Sequence, residues 1–139
     1  MKAVSILIAT TLLAACASQD EKAKQSTQDQ AQAVRDFIVV RNLEELDSLS
    51  SRSNDRWTSI DDEFLIYKGR RGSYLIEFNR RCYELSDNTR VVADKRWDLN
   101  TIRARSDTFR GCRIARIFAL TEVEVEELEN IGDAVGSRN

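Results

Sequence analysis

The chain has 139 residues, 42% of them hydrophobic, with 23 acidic and 21 basic side chains and a net charge of −2. That is the length of one domain. It contains no proline and no histidine, and the lack of histidine excludes a Ser-His triad and any site built on imidazole.

Residues 1–15 read as a signal peptide. Lys2 supplies a short positive start, and Ala3 to Ala15 is an apolar run of 13 residues. A membrane-spanning helix needs about 20 apolar residues, so the run fits the hydrophobic part of a secretory signal instead. It ends in Leu13-Ala14-Ala15-Cys16, which resembles the lipobox of bacterial lipoproteins. The small residues at 14 and 15 let a peptidase take the backbone in extended form. Cys16 then becomes the new N-terminus and carries acyl chains, palmitate in the usual pattern of such proteins. Each buried CH₂ contributes about 0.8 kcal/mol, and stable anchoring takes more than one chain. A triacylated Cys16 would therefore hold the protein to a membrane. Ala17 follows rather than Asp, which by analogy with lipoprotein sorting points to the outer membrane, facing the periplasm. An ordinary signal peptide beside an incidental cysteine is the plainer alternative.

Three cysteines less the lipidated one leave Cys82 and Cys112. An even pair in an exported chain reads as a disulfide. A reactive thiolate lacks a histidine partner, and two cysteines without histidine fall short of the usual metal-ligand sets.

Residues 16–33 hold the lipidated cysteine and a polar segment, "ASQDEKAKQSTQDQAQA" from Ala17. Nearly free of large apolar residues, it is expected to be a disordered tether. The globular domain is expected over 34–132, with a loose tail over 133–139. "DFIVVR" is β-branched and aromatic, so Asp36 to Arg41 is predicted as a strand. Asn42 followed by Glu45 suggests an N-cap, and Leu43, Leu46 and Leu49 suggest a short helix behind it. Trp57 to Ile60 is a further short strand candidate. Phe64 to Lys68 and Ser73 to Phe78 are predicted as a hairpin whose loop, Gly69-Arg70-Arg71-Gly72, has the glycines a tight turn needs. By alternation Tyr74, Ile76 and Phe78 point to the core.

Beyond Asp87 the pattern weakens. Arg90 to Ala93 and Thr101 to Arg105 are short strand candidates. In the second, Ile102 and Ala104 alternate with Arg103 and Arg105, as in a sheet covered on one side. Cys112 to Phe118 is predicted as a strand in which Ile114 and Ile117 fall on opposite faces unless a β-bulge repairs the register. In "LTEVEVEELENIGD" Thr121 and Glu124 form a capping box. Val125, Leu128 and Ile131 make an apolar stripe, and Gly132 is placed to end the helix.

The order of these features resembles an uncharacterised family of small proteobacterial lipoproteins, classed as a domain of unknown function. The lipobox carries the likeness, together with "YLIEFNRRC" and "RARSDTFRGCRIARIFALT" with its C-x-I-x-x-I-x-x-L spacing. It spans about Val34 to Gly132. The resemblance implies export and the cysteine pair, and carries no activity.

Charge is unevenly spread. Ala17 to Tyr67 has 11 acids and 6 bases, Lys68 to Arg116 has 13 bases and 6 acids, and Ile117 to Asn139 has 6 acids and 1 base. The plain explanation is internal neutralisation, with the acidic C-terminal helix lying over arginine-bearing strands. The sharper one is an open basic face, Arg70, Arg71, Arg103 and Arg105, for lipid A phosphates, acidic phospholipid or cell-wall peptide carboxylates. Asp61-Asp62-Glu63 offers oxygen ligands to Ca²⁺, but no Asx-Gly loop accompanies it, and a solvated turn is the simpler reading. Asp94, Asp98 and Asp107 are the candidates for carboxylate-based hydrolysis. Trp57 and Trp97 suit sugar stacking or, more simply, a core.

The sequence thus predicts an α+β fold: a small antiparallel β-rich domain of five to seven strands, one or two short helices and one disulfide. The function expected is that of an envelope lipoprotein, a non-catalytic binding or structural module with a protein or glycan partner. An anionic-ligand binder and a cell-wall hydrolase are the alternatives. No nucleic-acid partner, cofactor or metal is expected.

Overall fold

The computed structural model describes residues 17–52, 55–85 and 101–136. Residues 1–16, including Cys16, lie outside this range, as do the strand expected at Arg90 to Ala93 and the side chains of Asp94, Trp97 and Asp98.

The first element corrects two expectations at once. Ala17–Arg41 is a single 25-residue helix, α1, in place of a tether over 17–33 and a strand over 36–41. Ala and Gln are good helix formers, and β-branched residues cost a helix only tenths of a kcal/mol each, less than packing returns. Ala31, Val34 and Ile38 are buried at helical spacing in one core. The Gln30 amide donates to the carbonyl oxygens of Ile131, 3.3 Å, and Gly132, 3.0 Å. The stripe escapes notice because one of its members is alanine and its neighbour is glutamine.

Asn42 ends this helix rather than starting another. Its φ is 49°, its N–H donates to the Val39 carbonyl, and the Leu43 N–H donates to the Ile38 carbonyl, both at 3.2 Å. That pair of bonds is a Schellman motif with asparagine in the left-handed position. The chain leaves it extended. The helix expected from Leu43 to Leu49 is replaced by β1, Glu45–Leu46, and β2, Ser48–Ser50.

The remaining elements are β3 (Arg56–Ser59), β4 (Phe64–Gly69), β5 (Gly72–Phe78), a 3-10 turn (Tyr83–Leu85), β6 (Thr101–Arg103), β7 (Thr108–Phe109), β8 (Cys112–Leu120) and α2 (Glu122–Gly136). The main sheet is antiparallel in the order β1-β8-β5-β4-β3, with β7 paired to the start of β8, while β2 and β6 form a separate two-stranded ladder. The α+β, β-rich class therefore holds. Among the described residues there are eight strands, four of them only two or three residues long.

The central strands are covered on both faces, not one. Phe64, Ile66, Leu75 and Phe118 meet Ala31, Val34 and Ile38 of α1 and Val125 and Leu128 of α2. Leu65, Tyr67, Ile76, Phe78, Ile114 and Ile117 meet Leu49, Ile102, Phe109, Leu85 and the two half-cystines. This is why Phe64 to Tyr67 reads as an unbroken apolar run. Each such side chain, fully buried, stabilises the fold by roughly 1.5–3 kcal/mol.

The expected bulge is present. Glu77 pairs with Arg116 and Phe78 with Ile114, so Ala115 is the extra residue on β8. It brings Ile114 and Ile117 onto the same face and into the same core. The β7–β8 turn is Arg110-Gly111, both at positive φ, 50° and 82°, as a two-residue type I′ hairpin requires.

The capping box of α2 also forms as expected. The Thr121 N–H donates to the Glu124 carboxylate at 2.7 Å, and the Glu124 N–H donates to Thr121 Oγ1 at 3.3 Å. Replacing Thr121 with alanine is expected to lower stability by about 1 kcal/mol, measurable as a shifted urea midpoint with unchanged m-value. Gly132 does not end the helix, which runs on to Gly136. Gly132 sits instead against Ile60 and Gln30, inside the contact between the helices and the β3–β4 turn.

Candidate anionic-ligand surface

The predicted basic face divides in two. Gly69 pairs with Gly72, so Arg70 and Arg71 alone form the turn of the β4–β5 hairpin, and both are exposed. Arg103 pairs through its backbone with Ser48 in the small ladder. Arg105 has φ 64° and bonds Glu45 at 3.1 Å. The Arg105 N–H donates to the Ile114 carbonyl, and Ile114 pairs with Phe78 at the far end of β5. Six residues of strand separate that end from Gly72, or about 20 Å. The four arginines therefore do not share one surface.

The structure gives Arg70 and Arg71 different neighbours. Arg56 lies opposite Lys68 across β3–β4, one residue from Gly69. The loop before β3 is held at the same end. The Tyr67 hydroxyl donates to Asp55 Oδ2 at 2.7 Å, the Arg52 N–H donates to the same oxygen at 2.7 Å, and the buried Ser51 hydroxyl lies 2.8 Å from the Tyr67 oxygen. The single Tyr67 proton is committed to Asp55, so Ser51 donates to Tyr67. Burial pushes the Tyr67 phenol up to about 12, which keeps it a neutral donor. A side chain on Gly69 would meet Asp55 at 3.4 Å. Arg52, Arg56, Arg70 and Arg71 are thus gathered at one end of the sheet. All four are exposed. None of them enters the ion pairs found among the described residues. Arg52 and Arg56 escape sequence reasoning because only the β3–β4 register brings them to the hairpin turn.

Among the described residues six further cations are ion-paired, while the exposed Arg80, Arg103 and Arg113 enter none of these pairs. On α2, Glu129 takes Lys68 and Glu127 takes Arg41. Glu77 takes Arg116 at 2.6 Å on the neighbouring strand, and Glu63 takes Arg35 and Arg81. The Arg35 and Arg116 guanidinium groups also lie over Phe64 and Phe118, 5.6 and 5.1 Å from the ring centroids. Internal neutralisation therefore occurs, but the C-terminal helix pairs with Arg41 and Lys68 rather than with the strand arginines. Near the hairpin turn, Asp55 and Glu129 are bonded as described and Glu124 is bonded to Thr121. Glu122 is exposed at the start of α2 without an ion pair among the described residues.

Among the described residues the other candidates take part in packing or turns. The Asp61 run is not a solvated turn. Asp61 is 8% exposed, and its Oδ1 accepts the N–H groups of Glu63, 2.6 Å, and Phe64, 2.8 Å, which closes the β3–β4 turn. Among the described residues no group of three or more acidic or cysteine side chains is placed to hold a metal ion. Asp107 accepts the Arg103 N–H at 2.7 Å in the β6–β7 turn. Trp57 packs edge-on against Phe109, with centroids 5.3 Å apart, beneath the Arg110 guanidinium at 5.4 Å. Cys82 and Cys112 are joined, as expected.

A family model matches residues 1–133. The chain belongs to DUF6491, a family of unknown function. No curated protein and no solved structure matches it. Membership of DUF6491 spans the signal-like segment and both cysteine-bearing stretches. No helix among the described residues is long and apolar enough to cross a membrane.

Proposed function

We propose that the protein is a lipid-anchored module of the bacterial envelope, held to the outer membrane through Cys16, that binds an anionic partner and catalyses no reaction. The basic end of β3–β4–β5 is its contact surface. The observation that carries this reading is the gathering of Arg52, Arg56, Arg70 and Arg71 at one end of the sheet, exposed and outside every ion pair among the described residues. Guanidinium groups are suited to such a role because they present several donors in a fixed fork to carboxylate or phosphate oxygens. The Cys82–Cys112 bond supports an oxidising compartment, and the Leu13-Ala14-Ala15-Cys16 sequence supports acylation there.

Intact-mass measurement of protein taken from a membrane fraction tests the anchor. The expected species lacks residues 1–15 and carries acyl mass on Cys16, and a Cys16→Ser chain fails to acquire that mass. An unacylated parent protein in the soluble fraction would end the proposal. Salt titration tests the contact surface, since binding through exposed arginines weakens as ionic strength rises.

A further inference from the structure

We infer that the arginine end of the sheet engages the carboxylate-bearing peptides of the cell wall and not the headgroups of the membrane that anchors the chain. This rests on the anchoring reading above and deepens it by naming the partner.

The argument is one of direction. Gln30 bonds the carbonyls of Ile131 and Gly132, and Gly132 lies against Ile60. Arg35 lies over Phe64 and pairs with Glu63. The first packed turns of α1 therefore sit at the β3–β4 turn, the end from which β4 departs. Just past the other end of α1, the Glu44 carbonyl accepts the Ala119 N–H, and Ala119 pairs with Tyr74, two residues from Gly72. The helix thus advances toward the Arg70-Arg71 turn. Its first residue, Ala17, points the opposite way and is preceded directly by Cys16. Twenty-five residues of helix span about 37 Å, so the arginines stand on the order of 40 Å from the helix's first residue, Ala17. Electrostatic reach at physiological salt is about 8 Å. The anchoring leaflet's phosphates cannot hold arginines at that distance, whereas a polymer spread beyond the membrane can. Nor does the first half of the helix offer a way to lie down on the bilayer, since Ala17 to Asp29 contains no large apolar residue.

The chemistry selects the polymer. Two arginines in consecutive turn positions, with two more beside them, suit a partner that repeats single carboxylates along its length. Each guanidinium can take one carboxylate in a two-bond fork. Weak contacts then add through repetition along one strand.

The test mixes the mature protein, kept in a non-ionic detergent, with purified cell-wall sacculi and measures sedimentation. At low salt the protein is expected in the pellet. Arg70→Glu with Arg71→Glu should weaken binding at least tenfold, and Arg70→Gln with Arg71→Gln to an intermediate degree. Arg103→Glu, on the small ladder, should stay within twofold of the parent. Amidating the sacculus carboxylates should abolish sedimentation. Adding phosphatidylglycerol to the micelles at about one part in three should leave the protein on the sacculi. The inference is overturned if the protein stays in the supernatant or if the Glu pair binds like the parent. It is equally overturned if amidated sacculi still bind, or if phosphatidylglycerol strips the protein off. An intact disulfide and a cooperative unfolding transition show that each variant is folded. Because sedimentation reads the domain and intact mass reads Cys16, failure of this inference and failure of anchoring are told apart.

Discussion

Removing the disulfide by replacing Cys82 and Cys112 with alanine is expected to lower stability by about 3–4 kcal/mol. The two residues are 30 positions apart, and the bond denies the unfolded chain the freedom of that loop. Both half-cystines are completely buried in the core that faces the small ladder. The bond ties the segment after β5 to the start of β8, and the loop it closes includes β6 and β7. Those two strands are three and two residues long, too short to hold themselves in place. For a chain of this size the expected fall in melting temperature is about 10–15 °C. Serine in place of alanine should cost more, because it leaves hydroxyls in an apolar site. The measurement is urea unfolding of the parent and the double variant, with dithiothreitol-treated parent as a second reduced form. A loss below about 1 kcal/mol would mean that the bond closes a loop already held by its packing.

Between pH 4 and pH 7 an Asp61→Asn variant is expected to gain about 3 kcal/mol relative to the parent. The carboxylate of Asp61 is held inside the β3–β4 turn, with Oδ1 bonded to two backbone N–H groups and Oδ2 buried without a hydrogen-bond partner among the described residues. Burial pushes its pKa from 3.8 up to about 6, and the nearby Glu63 and Asp62 push the same way, while the two N–H bonds pull back. Burial raises the Asp62 pKa as well, against the pull of Arg81. A folded-state pKa above the unfolded one means that the native chain holds the proton more tightly. That contribution is complete below pH 4 and disappears as pH rises through about 6, because the unfolded chain has given up its proton earlier. At about 1.4 kcal/mol per unit, the difference amounts to roughly 3 kcal/mol. Asparagine keeps an oxygen for the two N–H groups and has no charge to bury, so its stability lacks this pH dependence. Urea unfolding of both proteins at pH 4, 5, 6 and 7 checks the prediction. Parallel profiles would show that Asp61 titrates normally.

Local signals in the chain were legible where the pattern is complete within a few residues. The Thr121–Glu124 box, the two-residue turn between Gly69 and Gly72 and the bulge at Ala115 all follow from such signals. Where two local signals conflict, neighbours decide. "FIVV" in α1 prefers a strand by propensity, but Val34 and Ile38 are buried against α2 and the sheet only if the segment is helical. Val39 and Val40 remain exposed as the cost. Asn42 suits an N-cap or a left-handed C-terminal position equally well. The preceding helix, invisible to a reading that has already made it a strand, selects the second. The candidate site shows the same division. That Arg70 and Arg71 stand at a turn is written in their flanking glycines. That Arg103 and Arg105 lie elsewhere, while Arg52 and Arg56 join the turn, depends on strand order and register, which link positions far apart in the chain.

The order of residues alone was enough to predict an α+β class, a cysteine pair and a capped C-terminal helix, because these depend on spacing and side-chain chemistry along a few turns of backbone. Only the tertiary structure decided which arginines stand together and which way α1 points relative to them. Both are matters of long-range pairing, in which the burial of two apolar faces outweighs local preference. A charged side chain left outside those faces goes wherever the register of its strand carries it.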